Sequence, residues 1–353
     1  MAALNQDTST LLLEQVNQAR AQGTPLQIHG GSSKAWLGRP LQGQRLDTRS
    51  HCGIVNYDPT ELVITARAGT RLSDVVAALQ ANQQMLPCEP PHSDDGATLG
   101  GMVAAGLSGP RRPWVGSVRD FVLGTRVITG LGQHLRFGGE VMKNVAGYDL
   151  SRLLAGSFGC LGLITEVSLK VLPIPRCQAH IALELDSQHA LQSLAQWGQQ
   201  PIPISAACHD GRVLRLRLEG GEGSVRAACE RLGGETFAAN WWKDLNHRRL
   251  AFFNDPRPLW RLSLPNTSEH LDLPGPQLLD WAGAQRWLKS DATPDQLRTL
   301  ASRLGGHVTC YTPGHTDSPF QPLPSPLLHY HQQLKQRLDP QGIFNPGRMY
   351  PEV

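Results

Sequence analysis

Residues 147–173, GYDLSRLLAGSFGCLGLITEVSLKVLP, limit the possible folds of this chain more than any other stretch. Gly156, Ser157, Gly159 and Gly162 remove side-chain bulk where a turn runs into the apolar residues Leu163, Ile164, Val167 and Leu169. Such a turn lets backbone N–H groups approach a flat or phosphorylated ligand, while the following strand anchors it in a core. The spacing is not that of a dinucleotide-binding turn, which needs a strand before its glycines and a helix after them. Here 149–154 reads as a short helical turn and 163–171 as a strand, the reverse order. A P-loop is absent too, because no glycine stands at the required distance before a Gly-Lys-Ser/Thr triplet.

Two further glycine loops lie upstream. Leu26 to Lys34, LQIHGGSSK, reads as a strand followed by consecutive unobstructed amides, two hydroxyls and a cation, a set suited to a diphosphate. Residues 94–109, DDGATLGGMVAAGLSG, hold five glycines and several alanines, which suits close contact between backbone and a large planar ligand. On this reading a branched Cβ at Gly31 or Gly101 fills space that the ligand needs.

The rest of the chain reads as ordinary globular protein. With 353 residues and 40% hydrophobic content it can bury a sizeable core in two or three units. The net charge of +3 is spread along the chain, so no basic stripe suggests nucleic acid. No run approaches the roughly 20 apolar residues that span a bilayer, and the N-terminus lacks the pattern of a signal peptide, so the expected compartment is cytoplasmic. The seven cysteines are scattered without a Cys-x-x-Cys pair, which argues against a disulfide framework, a zinc site or an iron–sulfur cluster.

Thr8 or Ser9 is placed to cap a helix to about Gln22, with Leu12, Val16 and Ala19 on one face and Gly23 ending it. A strand at 62–66, a helix at 73–82 and a hairpin at 122–137 follow. Beyond Pro173 the pattern changes to strands near 178–185, 203–209, 212–218, 259–264 and 307–311, with helices at 187–198, 223–232 and 294–304. Residues 235–290, rich in tryptophan and proline, give no assignable period. The expected class is α+β, with boundaries at 1–175, 176–335 and a returning segment 336–353; the middle part is an antiparallel sheet covered by helices.

The three glycine loops, in this order and spacing, resemble the FAD-binding domain of the vanillyl-alcohol oxidase or p-cresol methylhydroxylase type over about residues 20–175. The IHGGSSK loop, the KNVAGYDLSRLLAGSFGCLG run and the FNPGRMY tail look most like the FAD-binding subunits of bacterial glycolate oxidases. The resemblance implies that Gly30, Gly31, Ser32, Ser33 and Lys34 hold the FAD pyrophosphate. It implies that Ala97, Thr98, Gly100, Gly101, Ala104 and Gly109 line the isoalloxazine and ribityl side, with Gly116 and Asp120 completing that wall. It implies too that Gly156, Ser157, Gly159, Gly162 and Ile164 close over the other side and the adenine.

Relatives that attach flavin through histidine carry it after the first glycines, where this chain has Ser32 and Ser33, so the resemblance implies non-covalent FAD; His29, before them, reads as a strand residue satisfied by a neighbour. The histidine-rich Asp-Gly-Asn motif of metal-assisted relatives is missing; His209-Asp210-Gly211 stops short of it and reads as a hairpin turn, so no metal is expected. Lys143, Asn144, Tyr148, Asp149 and Arg348 fall in matched segments and could reach the flavin edge; Lys143, Tyr148 and Arg348 are the catalytic candidates, with a structural role open for each. The implied role is a glycolate oxidase or dehydrogenase subunit that oxidises a small 2-hydroxy acid, glycolate, to glyoxylate and works beside a second FAD-binding flavoprotein and an iron–sulfur subunit. Any membrane association would be made through those partners. A self-sufficient 2-hydroxy-acid or alcohol dehydrogenase and a non-catalytic assembly subunit remain open alternatives.

Overall fold

The computed structural model describes residues 5–91, 96–139 and 149–353. The N-terminal helix runs Ser9–Gln22, burying Leu12, Val16 and Ala19, and ends at Gly23 with φ +63°. Thr8 makes no side-chain cap; instead Asp7 Oδ1 accepts from the Ser9 N–H at 2.9 Å. The Thr8 N–H is turned to His51 Nδ1 at 3.0 Å.

The chain divides into two compact units: residues 1–108, 116–174 and 322–353 form the first, and 109–115 with 175–321 form the second. The return to the first unit comes earlier than the pattern at 336 implied. Helix Ser325–Leu338 is held there by Lys335, whose Nζ donates to the Cys160 and Phe344 carbonyls at 2.8 and 2.7 Å and pairs with Asp339 at 2.9 Å. Asp339 in turn accepts from the Ile343 and Phe344 N–H groups, so a buried ion pair fixes the start of the tail.

The first unit is built on a five-stranded antiparallel sheet in the order Ile54–Asp58, Val63–Arg67, Leu163–Lys170, Val122–Ile128, His134–Gly138. Its central strand, Leu163–Lys170, is almost entirely buried, which is what its β-branched and leucine content requires. A parallel pair, Leu26–His29 with Gln44–Asp47, lies apart from that sheet, and its core joins the N-terminal helix to Ile343 and Phe344 of the tail. Within the glycine loop expected at 94–109, Leu99–Ala105 instead forms a helix capped by Thr98 Oγ1, which accepts from the Gly101 N–H, and ended by Gly106 at φ +64°. Glycines at 100 and 101 hid its propensity.

The second unit is an eight-stranded sheet, antiparallel throughout: Glu235–Thr236, Cys177–Glu184, Val213–Gly220, Ile204–His209, Gln277–Asp280, Gln285–Lys289, Leu259–Ser263, His307–Cys310. Helices Ser187–Trp197 and Glu222–Leu232 pack on one half through Ala190, Leu194, Val225 and Ala228; Pro294–Arg303 packs on the other through Leu297 and Ala301. Two of the sheet's middle strands fall in the stretch that had no legible period. All five residues of Gln285–Lys289 are buried, two of them cationic, so no polar–apolar alternation exists to be read. The hairpin before it turns through Trp281 and Ala282 at φ +54° and +55°, with no glycine at those corners.

Candidate functional site

A cleft of about 320 Å³ opens in the first unit between the three glycine segments and the tail. Gly30, Gly31, Ser32, Ser33 and Lys34 line it, as do Ala97, Thr98, Gly100, Gly101 and Ala104, and Gly159, Gly162 and Ile164 from the third segment. Residues from three stretches of sequence thus meet at one surface. Leu41, Leu72, Pro90, Pro91, Met102 and Phe158 give it apolar walls.

The glycines build this cleft mainly by letting backbone touch backbone. A Cβ on Gly31 would lie 1.9 Å from the Gly96 carbonyl oxygen, joining the first loop to the second. One on Gly106 would lie 2.8 Å from the Gly156 Cα, joining the second to the third, where the Gly156 and Phe158 N–H groups also donate to Val103 and Ala104. One on Gly159 would meet Asn345 Nδ2 at 2.7 Å, joining the third to the tail. Asn345 closes the ring: its Oδ1 accepts from the Ile28 N–H at 2.8 Å and its Nδ2 donates to the Phe158 carbonyl at 2.7 Å. The expectation that Gly31 yields its space to a ligand is therefore corrected, because that space is occupied by another loop. Gly101 is different: its Cβ would meet only Thr98 Oγ1, at 3.1 Å.

What the closed ring leaves exposed is a run of donors. Among the described residues the N–H groups of Gly30, Gly31, Ser32 and Ser33 make no hydrogen bond, with Ser32 at φ +55°. Successive amides turned toward one place form an anion cradle. His29 is satisfied locally, its Nδ1 3.1 Å from Ser32 Oγ and its Nε2 3.3 Å from Gln27 Oε1, and burial followed by the nearby Arg45 pushes its pKa down.

Arg348 lines the cleft but is neither a surface residue nor free to meet a substrate. It is buried, with Nη1 donating to the Arg39 carbonyl at 2.6 Å and Nη2 to Ala35 at 2.9 Å and Lys34 at 3.4 Å. Burial pushes its pKa below the ordinary guanidinium value. Its bonds stiffen the turn that carries the donor run, which makes it a positioning residue. Lys143, Asn144 and Tyr148 lie outside the described residues; Asp149 caps the short helix Leu150–Leu153 by accepting from the Arg152 N–H.

Five of the expected ligand residues are not brought to the cleft. Gly109 belongs to the second unit, where its carbonyl accepts from Trp281 Nε1 at 3.0 Å. Gly116, at φ +108°, packs on Asp120, and Asp120 accepts from the Ser117 N–H and hydroxyl at 2.8 Å each as a helix cap. Gly156 serves the loop-to-loop contact. Ser157 is buried, and its Oγ has no hydrogen-bond partner among the described residues. In the other direction, Asn345 was missed as a site residue. The FNPGR segment marked the tail, but an asparagine at φ +41° bridging two loops leaves no periodic trace.

The residues present fit a flavin dinucleotide: an amide cradle for the diphosphate, apolar walls for the planar ring, and a floor at Gly101 without a side chain. Among the described residues no three histidine, cysteine or acidic side chains gather as metal ligands, and no helix is long and apolar enough to cross a membrane.

Residues 7–138 match the family described as FAD binding domain. The chain is similar to the glycolate oxidase subunit GlcE of Escherichia coli (strain K12), 61% identical over 347 residues that cover 98% of this chain and 99% of that one. It is 36% identical to the glycolate oxidase subunit GlcD of Bacillus subtilis (strain 168) over 122 residues, 35% of this chain and 26% of that protein. In fold it is similar to an alkyldihydroxyacetonephosphate synthase, with a TM-score of 0.65 at 16% identity over 95% of this chain and 75% of that one.

Proposed function

The chain belongs to the glycolate oxidase subunit GlcE family, and from that premise we propose that it is the FAD-binding subunit of a complex that oxidises glycolate to glyoxylate. The near full-length likeness to GlcE carries this reading, and the donor run beside a glycine-floored cleft supports it from the side of chemistry.

In this reading the amides of Gly30, Gly31, Ser32 and Ser33, with Lys34, hold the diphosphate by charge-assisted hydrogen bonds. Ala97, Thr98, Gly100, Gly101 and Ala104 form one wall of the cleft, and Gly159, Gly162 and Ile164 the other. Ser32 and Ser33 stand where a histidine would be needed for a covalent link, so the cofactor is held without one. Bound FAD supplies two-electron acceptance from the carbon that bears the hydroxyl. The chain's own part is to orient and to exclude water: Leu72, Pro90, Pro91 and Met102 keep the cleft apolar, and Arg348 and Asn345 hold the loops in place. Residues 1–108, 116–174 and 322–353 act as the flavin-binding unit and the remainder as the cap. Electrons leave through partners, a second FAD-binding flavoprotein and an iron–sulfur subunit, in the cytoplasm.

The test is an absorption spectrum of the purified chain, taken alone and then with the partner subunits and glycolate. The expected result is a flavin spectrum whose chromophore is released by acid precipitation, and bleaching by glycolate only in the complex. A colourless chain would favour the assembly role. A chain that alone reduces a dye with glycolate as fast as the complex would make it a self-sufficient enzyme.

A further inference from the structure

Gln27, His29 and Ser32 form a short chain of hydrogen bonds, and all three line the cleft. Its direction is set by its first member. Gln27 Nε2 donates to the Leu41 carbonyl at 2.9 Å, so the amide is turned with Oε1 toward the histidine. An amide oxygen only accepts. His29 Nε2, 3.3 Å from that oxygen, therefore carries the ring proton, and the neutral ring presents a bare Nδ1 to Ser32 Oγ at 3.1 Å. Nδ1 accepts from the Ser32 hydroxyl, whose single proton is spent there. The serine oxygen then has only lone pairs to offer beside the donor run.

Adding a proton reverses the last bond. An imidazolium donates from both nitrogens, so Nδ1–H would donate to Ser32 Oγ and release the hydroxyl proton for another acceptor. The backbone is held for either state: Thr48 donates to the His29 carbonyl through its N–H at 2.8 Å and its hydroxyl at 3.0 Å. Surrounding charge decides which state is populated. Asp47, the partner of His29 in the parallel pair, is bonded by Arg49 at 2.6 Å and Arg45 at 3.4 Å, and Arg348 of the tail also acts on the ring. Lys34 lines the same cleft. Burial, then Arg45, with smaller contributions from Arg348 and Arg49, outweighs Asp47 and pushes the His29 pKa below its ordinary value. The ring is therefore neutral at neutral pH. An anion at the donor run adds negative charge and acceptors beside it, which favours the protonated ring.

We propose that His29 is a proton-linked positioning residue for the diphosphate: binding draws up to one proton from solvent onto Nδ1, and the Ser32 hydroxyl turns from the ring to donate to a phosphate oxygen. The inference rests on the flavin reading of the cleft. Its consequence is a flavin affinity that rises as pH falls from the His29 pKa of the loaded chain toward the lower pKa of the free chain. The diphosphate of a dinucleotide is fully ionised throughout that range and adds no titration of its own.

The test is calorimetric titration of the flavin-stripped full-length chain with FAD, at about pH 6 and about pH 8, on either side of the ordinary histidine value. Two buffers of different ionisation enthalpy let affinity and proton uptake be read together. FAD should bind roughly three- to tenfold more tightly at the lower pH, with net proton uptake there. His29→Asn keeps a polar group beside Ser32 but cannot titrate, so it should bind FAD without uptake and with a flat pH profile. Ser32→Ala should weaken FAD at the lower pH and leave the higher-pH affinity nearly unchanged, because the hydroxyl proton is already spent there; it also gives a second reading if His29→Asn does not fold, which circular dichroism reports. Equal wild-type affinity at both pH values, absence of proton uptake, uptake retained in folded His29→Asn, or an equal loss at both pH values in Ser32→Ala overturns the proposal and leaves the flavin reading standing. Failure of FAD to bind at either pH overturns both.

Discussion

The two units bury polar chemistry in opposite ways. In the first, polar backbone is brought together at positions stripped of side chains, and its charged groups, Lys335, Asp339 and Arg348, are spent on holding loops and tail. In the second, the backbone is a regular antiparallel ladder and the charge is carried by side chains packed inside it. Arg111 forms a two-pronged pair with Glu219, which also accepts from Gln178 at 2.9 Å and lies 3.3 Å from Arg217. A cleft made of backbone is set by loop-to-loop contact and tolerates little change at its glycines. A polar face made of side chains on a rigid ladder can be altered one residue at a time.

The largest effects should come from breaking the two buried ion pairs, because they test whether each network serves its own unit. Lys335→Met leaves Asp339 buried and unpaired and should cost about 3–5 kcal/mol, with flavin lost as the tail loosens. Glu219→Gln should cost a comparable amount and leave flavin content unchanged. Denaturant unfolding with flavin absorbance on the same samples reads both, and equal flavin loss in the two variants would erase the contrast.

Next come the glycines. Gly31→Val drives a side chain into the Gly96 backbone and should cost about 1–3 kcal/mol as overpacking, with FAD binding abolished. Gly101→Ala meets only a movable hydroxyl and should leave the thermal midpoint nearly unchanged. If Gly101→Ala loses flavin at full stability, ligand lies over Gly101; if Gly31→Val keeps both flavin and midpoint, the loop-to-loop account fails.

Asn345→Ala removes the acceptor of the Ile28 N–H and the donor to Phe158, a loss of about 1–3 kcal/mol, seen as faster flavin release with the sheet's circular dichroism unchanged. Retention of wild-type release kinetics would make the clip incidental.

The smallest effect should be the pH dependence contributed by two histidines of the first unit. Burial pushes the His51 and His134 pKa values below the ordinary one. His51 Nδ1 accepts from the Thr8 N–H and so favours the neutral ring. A histidine whose folded pKa is depressed is protonated first in the unfolded chain. Stability is therefore complete above the ordinary value of about 6.5 and declines as pH falls from there toward the folded pKa. His51→Gln should flatten that decline, and an identical slope in the variant would remove His51 from the account.

Sequence by itself determined the local events of this fold. The helix at Ser9–Gln22, the strand Leu163–Lys170 and the Asp210-Gly211 turn follow from periodicity and turn chemistry acting over a few residues. The motifs also marked the three loops and the tail as parts of one family, and thirteen of the eighteen ligand residues expected from them line the cleft. Tertiary structure decided the rest, because the deciding interactions join residues far apart in the chain. Gly31 needs no side chain because of Gly96, Asn345 is spent on Ile28 and Phe158, and Arg348 on the carbonyls of the first loop. The middle strands Gln277–Asp280 and Gln285–Lys289 were hidden for the same reason. Their polar side chains turn to carbonyls outside the strands, Gln277 Nε2 to Leu271, Arg286 to Ser268 and Lys289 to Asp255, while Gln277 Oε1 and Arg286 Nη1 are buried with no partner among the described residues, so neither alternation nor composition marks them as buried.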